Sequence, residues 1–178
     1  MLDISQIQSK EMKKEDFDIC EVMRIALLSM EQKINDRGLD VETNIPDDPT
    51  MVQGDRDLIT QVIYNLLENA ALHGGRVKNI TLTARRRNDK AELRVEDDGV
   101  GLDSHGLENV FDGMRTRAEQ TSSDRRNMGI GLSVCMSIVQ AHGGTMRAEN
   151  RKKGGALLQF TLPLEEISHE YQREGSSN

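Results

Sequence analysis

The stretch that most constrains this fold runs from Lys90 to Leu102. Ala91, Leu93 and Val95 alternate with Glu92, Arg94 and Glu96, the period of a strand with one face buried. The strand runs out into Asp97-Asp98 and then Gly99-Val100-Gly101. A glycine after a strand lets the backbone turn where a Cβ would clash, or lets a ligand come close. A carboxylate at the mouth of such a turn can accept a hydrogen bond from an exocyclic amine. Alone, an acidic strand end followed by glycine is ordinary turn chemistry. It gains weight from its company: Asn65-Leu66-Leu67-Glu68-Asn69-Ala70 before it and Gly129-Ile130-Gly131-Leu132 after it.

The 178 residues fit one domain with extensions. A net charge of −7 argues against general nucleic-acid binding. Three Phe, two Tyr and no Trp leave no material for a base-stacking platform. Cys20 and Cys135 have no metal-ligand spacing and read as buried, reduced thiols, which fits a cytoplasmic setting. No apolar run reaches the length of a membrane span, and no signal peptide opens the sequence.

The hydrophobic periods predict the element order. Leu2, Ile4 and Ile7 form a short apolar stripe, read with the charged residues up to 16 as the end of a longer helix and a linker. An amphipathic helix is expected over 20–37, starting near Asp18 or Cys20 and stopped by Gly38. A half-buried strand over 39–45 and a short strand at 51–53 follow, then a helix over 55–73. Strands over 77–87 and 90–98 form a hairpin, and residues 102–128 read as a long loop. Gly129 opens a helix running to about His142, and strands over 145–149 and 156–164 close the domain. The tail from 165 to 178 is polar and reads as disordered. The expected architecture is α+β, a two-layer sandwich with a mixed, mostly antiparallel sheet covered on one face by helices.

Three constellations carry candidate chemistry. Asn65 and Asn69 lie four apart, on one face of a largely apolar helix. They either satisfy nearby polar groups or offer amide oxygens to a hard cation such as Mg²⁺, which needs few protein ligands when phosphates and water complete its shell. The 102–128 loop carries Arg115, Arg117, Arg125 and Arg126, either solvated charge or a cover that brings guanidinium groups to phosphates. Gly129 and Gly131 at a helix start would let phosphates reach free N–H groups.

The runs NLLENA, DDGVG, GIGLSVCMSIVQAHGG and GGALLQFTLP, in that order, resemble the catalytic and ATP-binding domain of bacterial sensor histidine kinases. That family shares the Bergerat ATP-binding fold with DNA gyrase, the ninety-kilodalton heat-shock chaperone and the mismatch-repair proteins. The resemblance covers residues 17–164 and implies ATP and Mg²⁺ as ligands. It implies that Asp97 accepts the adenine amino group, while Gly99 and Gly101 let the chain pass close to the base. Asn69 would bind Mg²⁺, with Asn65 close to the metal and phosphates and His73 at the usual aromatic position. Phe111 would anchor the lid and Arg115 would serve the phosphates. Gly129, Gly131 and Leu132 would cradle the phosphates by backbone N–H. Hydrolysing relatives carry a Glu where this chain has Asn65. An amide cannot take up a proton at neutral pH, so Asn65 favours phosphoryl transfer over hydrolysis.

The chain departs from the family's pattern at Leu72, where a basic residue is usual, and in the lid, where Phe111 is followed by Gly113 and Met114. Asn127 replaces a glycine and Ala156 a threonine. None of His73, His105, His142 and His169 sits in a phosphoacceptor motif; Ser168-His169-Glu170 resembles one but lies beyond the last strand. The chain therefore reads as a monomeric catalytic piece of a homodimeric, membrane-anchored parent. The implied partners are the parent's dimerisation and phosphoacceptor domain and a response regulator. The rival readings are a degenerate, non-catalytic docking module and a serine-phosphorylating kinase of the anti-sigma-factor type.

Overall fold

A computed structural model describes residues 12–73, 76–102 and 123–165, of which 72–73 and 123–131 are described as backbone. Two strands and two helices open the fold: β1 (Glu15–Asp18), α1 (Ile19–Ser29), α2 (Glu31–Asp36) and β2 (Asp40–Asn44). Next come β3 (Met51–Gly54), α3 (Arg56–His73), β4 (Asn79–Arg87) and β5 (Lys90–Asp97). The last elements are α4 (Ser123–Ala141), β6 (Thr145–Asn150) and β7 (Ala156–Pro163). Among the described residues, no helix is long and apolar enough to cross a membrane.

The main sheet has the order β2-β4-β5-β7-β6. Only β2 and β4 run parallel; the other pairs are antiparallel. The register explains the core. Leu82, Val95 and Leu158 line up across three strands, as do Ala84, Leu93 and Phe160. All six are buried, on the face that Ile59, Ile63, Leu66 and Ile138 of the helices complete. The alternate positions carry charge. Glu92 is 3% exposed and is held by Arg85, with Nε to Oε1 at 2.8 Å. A mixed sheet with helices on its apolar face is the expected architecture.

Several boundaries differ from the sequence reading. The helix expected over 20–37 is two helices, broken at Met30, whose side chain is fully buried and whose backbone sits at φ −101°, ψ 1°. Asp18 does cap α1: its Oδ1 accepts from the N–H of Cys20 at 3.0 Å and of Thr50 at 2.9 Å. The stretch read as linker to residue 16 already forms part of β1, which pairs with β3 in a separate two-stranded sheet through Phe17 and Val52. β2 is an edge strand and mostly exposed, with Val41 only half-buried.

The largest difference concerns α4. It begins at Ser123, so 123–128 are helical and Gly129 and Gly131 lie inside the helix rather than at its opening. Ser and Asp at 123–124 suit a helix start, and no proline interrupts the run to Ala141. Residues 103–122, most of the expected loop, lie outside the described residues.

A histidine ties the ends of the two long helices together. Asp55 caps α3 by accepting from the N–H groups of Asp57 and Leu58 at 3.1 and 3.2 Å. The Asp55 N–H itself donates to His142 Nε2 at 2.9 Å, and His142 Nδ1 lies 2.7 Å from the Ile138 carbonyl. These partners require the proton on Nδ1. His142 thus locks the end of α4 to the start of α3, with its ring packed against Gly54.

Candidate functional site

The two adjacent carboxylates at the end of β5 have opposite fates. Asp98 is consumed by structure. Its Oδ1 accepts from the N–H of Lys78 at 2.8 Å and of Asn79 at 3.0 Å, and its Oδ2 accepts from Asn79 Nδ2 at 2.8 Å. These donors, Asn79 first, hold its pKa down at about 2. Asp98 thereby staples the start of β4 to the end of β5.

Asp97 is 7% exposed. Its Oδ1 accepts from the N–H of Gly99 at 2.9 Å and of Ala156 at 3.3 Å. Among the described residues nothing donates to Oδ2, so an acceptor remains on a carboxylate whose position is fixed. Burial pushes the pKa of this carboxyl up; the two N–H groups and the charge of Arg151 pull it back, while Asp98 adds to the rise. A buried carboxylate with one oxygen anchored and one free is a receptor for a donor such as an amino group.

The turn between β6 and β7 holds this receptor in place. Asn150 pairs with both main-chain groups of Leu102, accepting from its N–H at 2.7 Å and donating to its carbonyl at 2.5 Å. Arg151 donates from Nη1 to the Asp97 carbonyl at 2.7 Å. Gly101 has φ +77°, and a Cβ there would lie 2.8 Å from Asn150 Oδ1. Gly155 has φ +89°, and its bare Cα faces the Asp97 carbonyl where no methyl group could fit. The structure therefore brings Asp97, Gly99 and Gly101 into one loop, packed on residues 150–156.

On the helical layer, Asn65 and Asn69 are both half-buried on α3. Asn65 Nδ2 donates to Cys135 Sγ of α4 at 3.6 Å. Burial pushes the Cys135 thiol up to about 12, so it stays protonated and neutral at pH 7. Asn69 Nδ2 is buried and has no hydrogen-bond partner among the described residues. A buried, orphaned amide donor is unusual and calls for a ligand or for functional strain.

The remaining expected residues divide by position. Leu132 is 1% exposed and belongs to the core, and only its backbone N–H faces the expected role. It stands ten positions into α4, where N–H groups bond the carbonyl four residues back. Gly129 and Gly131 share that helical backbone, so their N–H groups lie within a helix and not at its opening. His73 is the last residue of α3, and its side chain is outside the described residues, as are Phe111 and Arg115. Sequence reasoning missed Asn150, Arg151, Gly155 and Cys135 as site neighbours. The Gly154-Gly155 pair was the one signal that could have exposed them; the others meet the site only through sheet register and helix packing.

A family model described as histidine kinase-, DNA gyrase B- and HSP90-like ATPase matches residues 54–166, more than half of the chain. The chain belongs to this family. The sensor protein KdpD of Clostridium acetobutylicum is 37% identical over 125 residues, which cover 70% of this chain and 14% of that protein. The adaptive-response sensory kinase SasA of Parasynechococcus marenigrum is 35% identical over 148 residues, 83% of this chain and 38% of that one. Among solved structures, the catalytic domain of histidine kinase ThkA superposes with a TM-score of 0.73 at 26% identity, covering 85% of this chain and 98% of that one. The chain spans 14% to 38% of the length of these curated relatives. Its fold is that of an ATP-binding catalytic domain of the sensor histidine kinase type. Among the described residues, no group of three or more His, Cys, Asp and Glu could hold a metal ion.

Proposed function

We propose that this domain presents Mg·ATP for phosphoryl transfer to a histidine on a dimerisation domain. The observation that carries this reading is Asp97, buried, anchored through Oδ1 and with no donor to Oδ2 among the described residues. That oxygen would accept the adenine amino group, with Gly99 and Gly101 giving the base room. The orphaned amide of Asn69 supports a polyphosphate beside it. Its two ends are chemically opposite, so the side chain can offer an oxygen to a cation or an NH₂ to a phosphate oxygen. The donor set fits Mg²⁺, which takes few protein oxygens and completes its shell with phosphates and water. Asn69 would hold it, with Asn65 adjoining. When bound, the ion would supply positive charge to the phosphate oxygens.

Asn65 supports transfer over hydrolysis. Its amide donates to the Cys135 thiol and has no basic lone pair with which to activate water. What the chain contributes is positioning and charge neutralisation, with the nucleophile brought by the partner. His73, Phe111, Arg115 and the 129–132 backbone complete the phosphate side of this reading. A homodimeric, membrane-anchored parent and a response regulator that takes the phosphoryl group belong to the same proposal.

Calorimetric titration of ATP, with and without Mg²⁺, into the chain and into Asp97→Asn tests it. Binding should weaken at least tenfold in the variant, the scale of one charge-assisted hydrogen bond. Adding a separate dimerisation hairpin should then yield phosphohistidine. Unchanged binding by Asp97→Asn would reject the base assignment, and steady phosphate release by the chain alone would reject the transfer assignment.

A further inference from the structure

A hydrogen-bond chain through α4 reaches the face of α3 that carries Asn65. Its middle member is Cys135, fully buried between two groups of α3. On one side the Val62 carbonyl, which can only accept, lies 4.0 Å from Sγ. On the other side Asn65 Nδ2 donates to Sγ at 3.6 Å. Burial keeps the thiol protonated at pH 7, pushed up to about 12. A neutral thiol carries a single S–H and a weakly accepting sulfur. With the S–H on the Val62 carbonyl, the sulfur lone pairs are what face Asn65. An amide turned the other way would set its oxygen against those lone pairs, acceptor on acceptor. The chain therefore runs in one direction, from the Asn65 NH₂ to the thiol and from the thiol to the carbonyl.

We propose that Cys135 is a positioning residue: by accepting from Nδ2 it fixes the polarity of the Asn65 amide, so that Oδ1 is the arm offered to the nucleotide site and Asn65 serves a cation or its bound water rather than a phosphate oxygen. The inference rests on the reading of Asn65 as a neighbour of the metal and phosphates. The terminal torsion of an Asn side chain is broad and roughly twofold, so an unheld amide offers oxygen or NH₂ with similar ease. Only the oxygen suits Mg²⁺. Among the described residues, the bond to Cys135 is the one that the Asn65 side chain makes, and Oδ1 receives no donor. Asn69, one turn on, is the contrast. Its Nδ2 has no partner among the described residues, so no such bond sets which arm it presents.

NMR of the isotope-labelled chain without nucleotide reads the polarity directly. Nuclear Overhauser contacts should join the Asn65 NH₂ protons to the Cys135 β protons, with Asn65→Asp identifying the amide signals. Cys135→Val keeps apolar bulk and removes the acceptor, whereas Cys135→Ser keeps both a donor and an acceptor. In Cys135→Val the Asn65 NH₂ protons should exchange with water about fivefold faster, the scale of one hydrogen bond. Calorimetry then compares ATP with and without Mg²⁺. The gain in affinity from Mg²⁺ should fall about three- to fivefold in Cys135→Val, with binding of ATP alone unchanged. Cys135→Ser should restore both measures, at least in part. Missing Overhauser contacts in the unmutated chain, or an equal loss of ATP with and without Mg²⁺ in Cys135→Val, would overturn the proposal and leave Cys135 as core packing. If Cys135→Val does not fold, Cys135→Ala is read by the same measures. Failure of the underlying reading shows separately: Asn65→Ala would then bind Mg·ATP unchanged, while the Overhauser contacts of the unmutated chain stand.

Discussion

Replacing Gly155 with alanine should damage nucleotide binding from a position that touches no ligand. Gly155 sits at φ +89°, a region that L residues rarely adopt. Strain of this kind costs about 1–3 kcal/mol. A Cβ there would also fall inside the van der Waals shell of the Asp97 carbonyl oxygen, 2.7 Å from its carbonyl carbon and 2.9 Å from Asp98 Cα. Ordinary carbon contacts lie at about 3.5–4.0 Å, so the end of β5 must retreat by roughly 0.8 Å or more. Overpacking of this size adds about 1–3 kcal/mol. The sum, about 4 kcal/mol, corresponds to a fall of roughly 10 °C in Tm for a domain of this size. The displaced residue is Asp97, the proposed base acceptor, and an ångström of misplacement can cost about a hundredfold. Gly154→Ala is the control: φ is +100° there, but nothing lies within 4 Å of a Cβ, so it carries strain without collision. Thermal unfolding and ATP calorimetry on both variants separate the two terms. Equal losses of ATP affinity in the two would refute the argument that Gly155 exists to seat Asp97.

Asp98 contributes stability through a depressed pKa, so its contribution is present above the ordinary value of 3.8 and is lost as pH falls from there through about 2. Asp98→Ala should lower stability at pH 7 by about 1 kcal/mol, discounted because the carboxylate is exposed, and the gap from the unmutated chain should close by about pH 2 in urea titrations. The Cys135 thiol, pushed up to about 12 by burial, should resist alkylation in the folded chain up to about pH 9 and react on unfolding, as mass spectrometry would read; rapid labelling of the native chain would contradict the burial argument. Gly129→Ala and Gly131→Ala should each stabilise α4 by about 1 kcal/mol and, if phosphates must take N–H groups released from its first turns, weaken ATP about fivefold each. Unchanged ATP affinity in both would remove the 129–132 backbone from the phosphate site.

The sheet was legible because alternation and turn chemistry agree. Leu82, Leu93 and Phe160 all fall on the buried face that their spacing requires. Asp97 was legible because a strand ending in carboxylates and glycines has few structural uses, and it is the carboxylate left with an acceptor. What stayed hidden depends on register. Nothing in the spacing of Asn150 and Arg151 shows that one will pair with Leu102 and the other with the Asp97 carbonyl. The break at Met30 was hidden for a different reason. Its apolar side chain fits the helical period, and no Gly or Pro stands at the break to mark it. The early start of α4 was missed because two glycines read more readily as an opening than as interior residues. Residues 123–128 carry no breaker, and about 1 kcal/mol per glycine does not stop a helix whose remaining turns are packed.

The two ends of the proposed site stand in different physical states, and the order of binding follows from that. At the base end the ordering cost has been met by folding. Asp97 is held through Oδ1, its carbonyl is held by Arg151, and the departing chain is clamped by Asn150. A preorganised receptor of this kind loses little freedom when its ligand arrives. At the phosphate end the N–H groups of Gly129, Gly131 and Leu132 lie within a helix, so a phosphate must compete with the carbonyls they already serve. The buried Leu132 marks where that competition ends, because unwinding past it would expose core. Free energy from the base contact can offset the first turns of α4 but not the packed ones. On the proposed reading, such a domain would recognise the adenine through parts already held in place and would have to open the first turns of a helix to grip the phosphates. That arrangement suits transfer to an outside nucleophile, since the terminal phosphate need not be enclosed by the groups that selected the nucleotide.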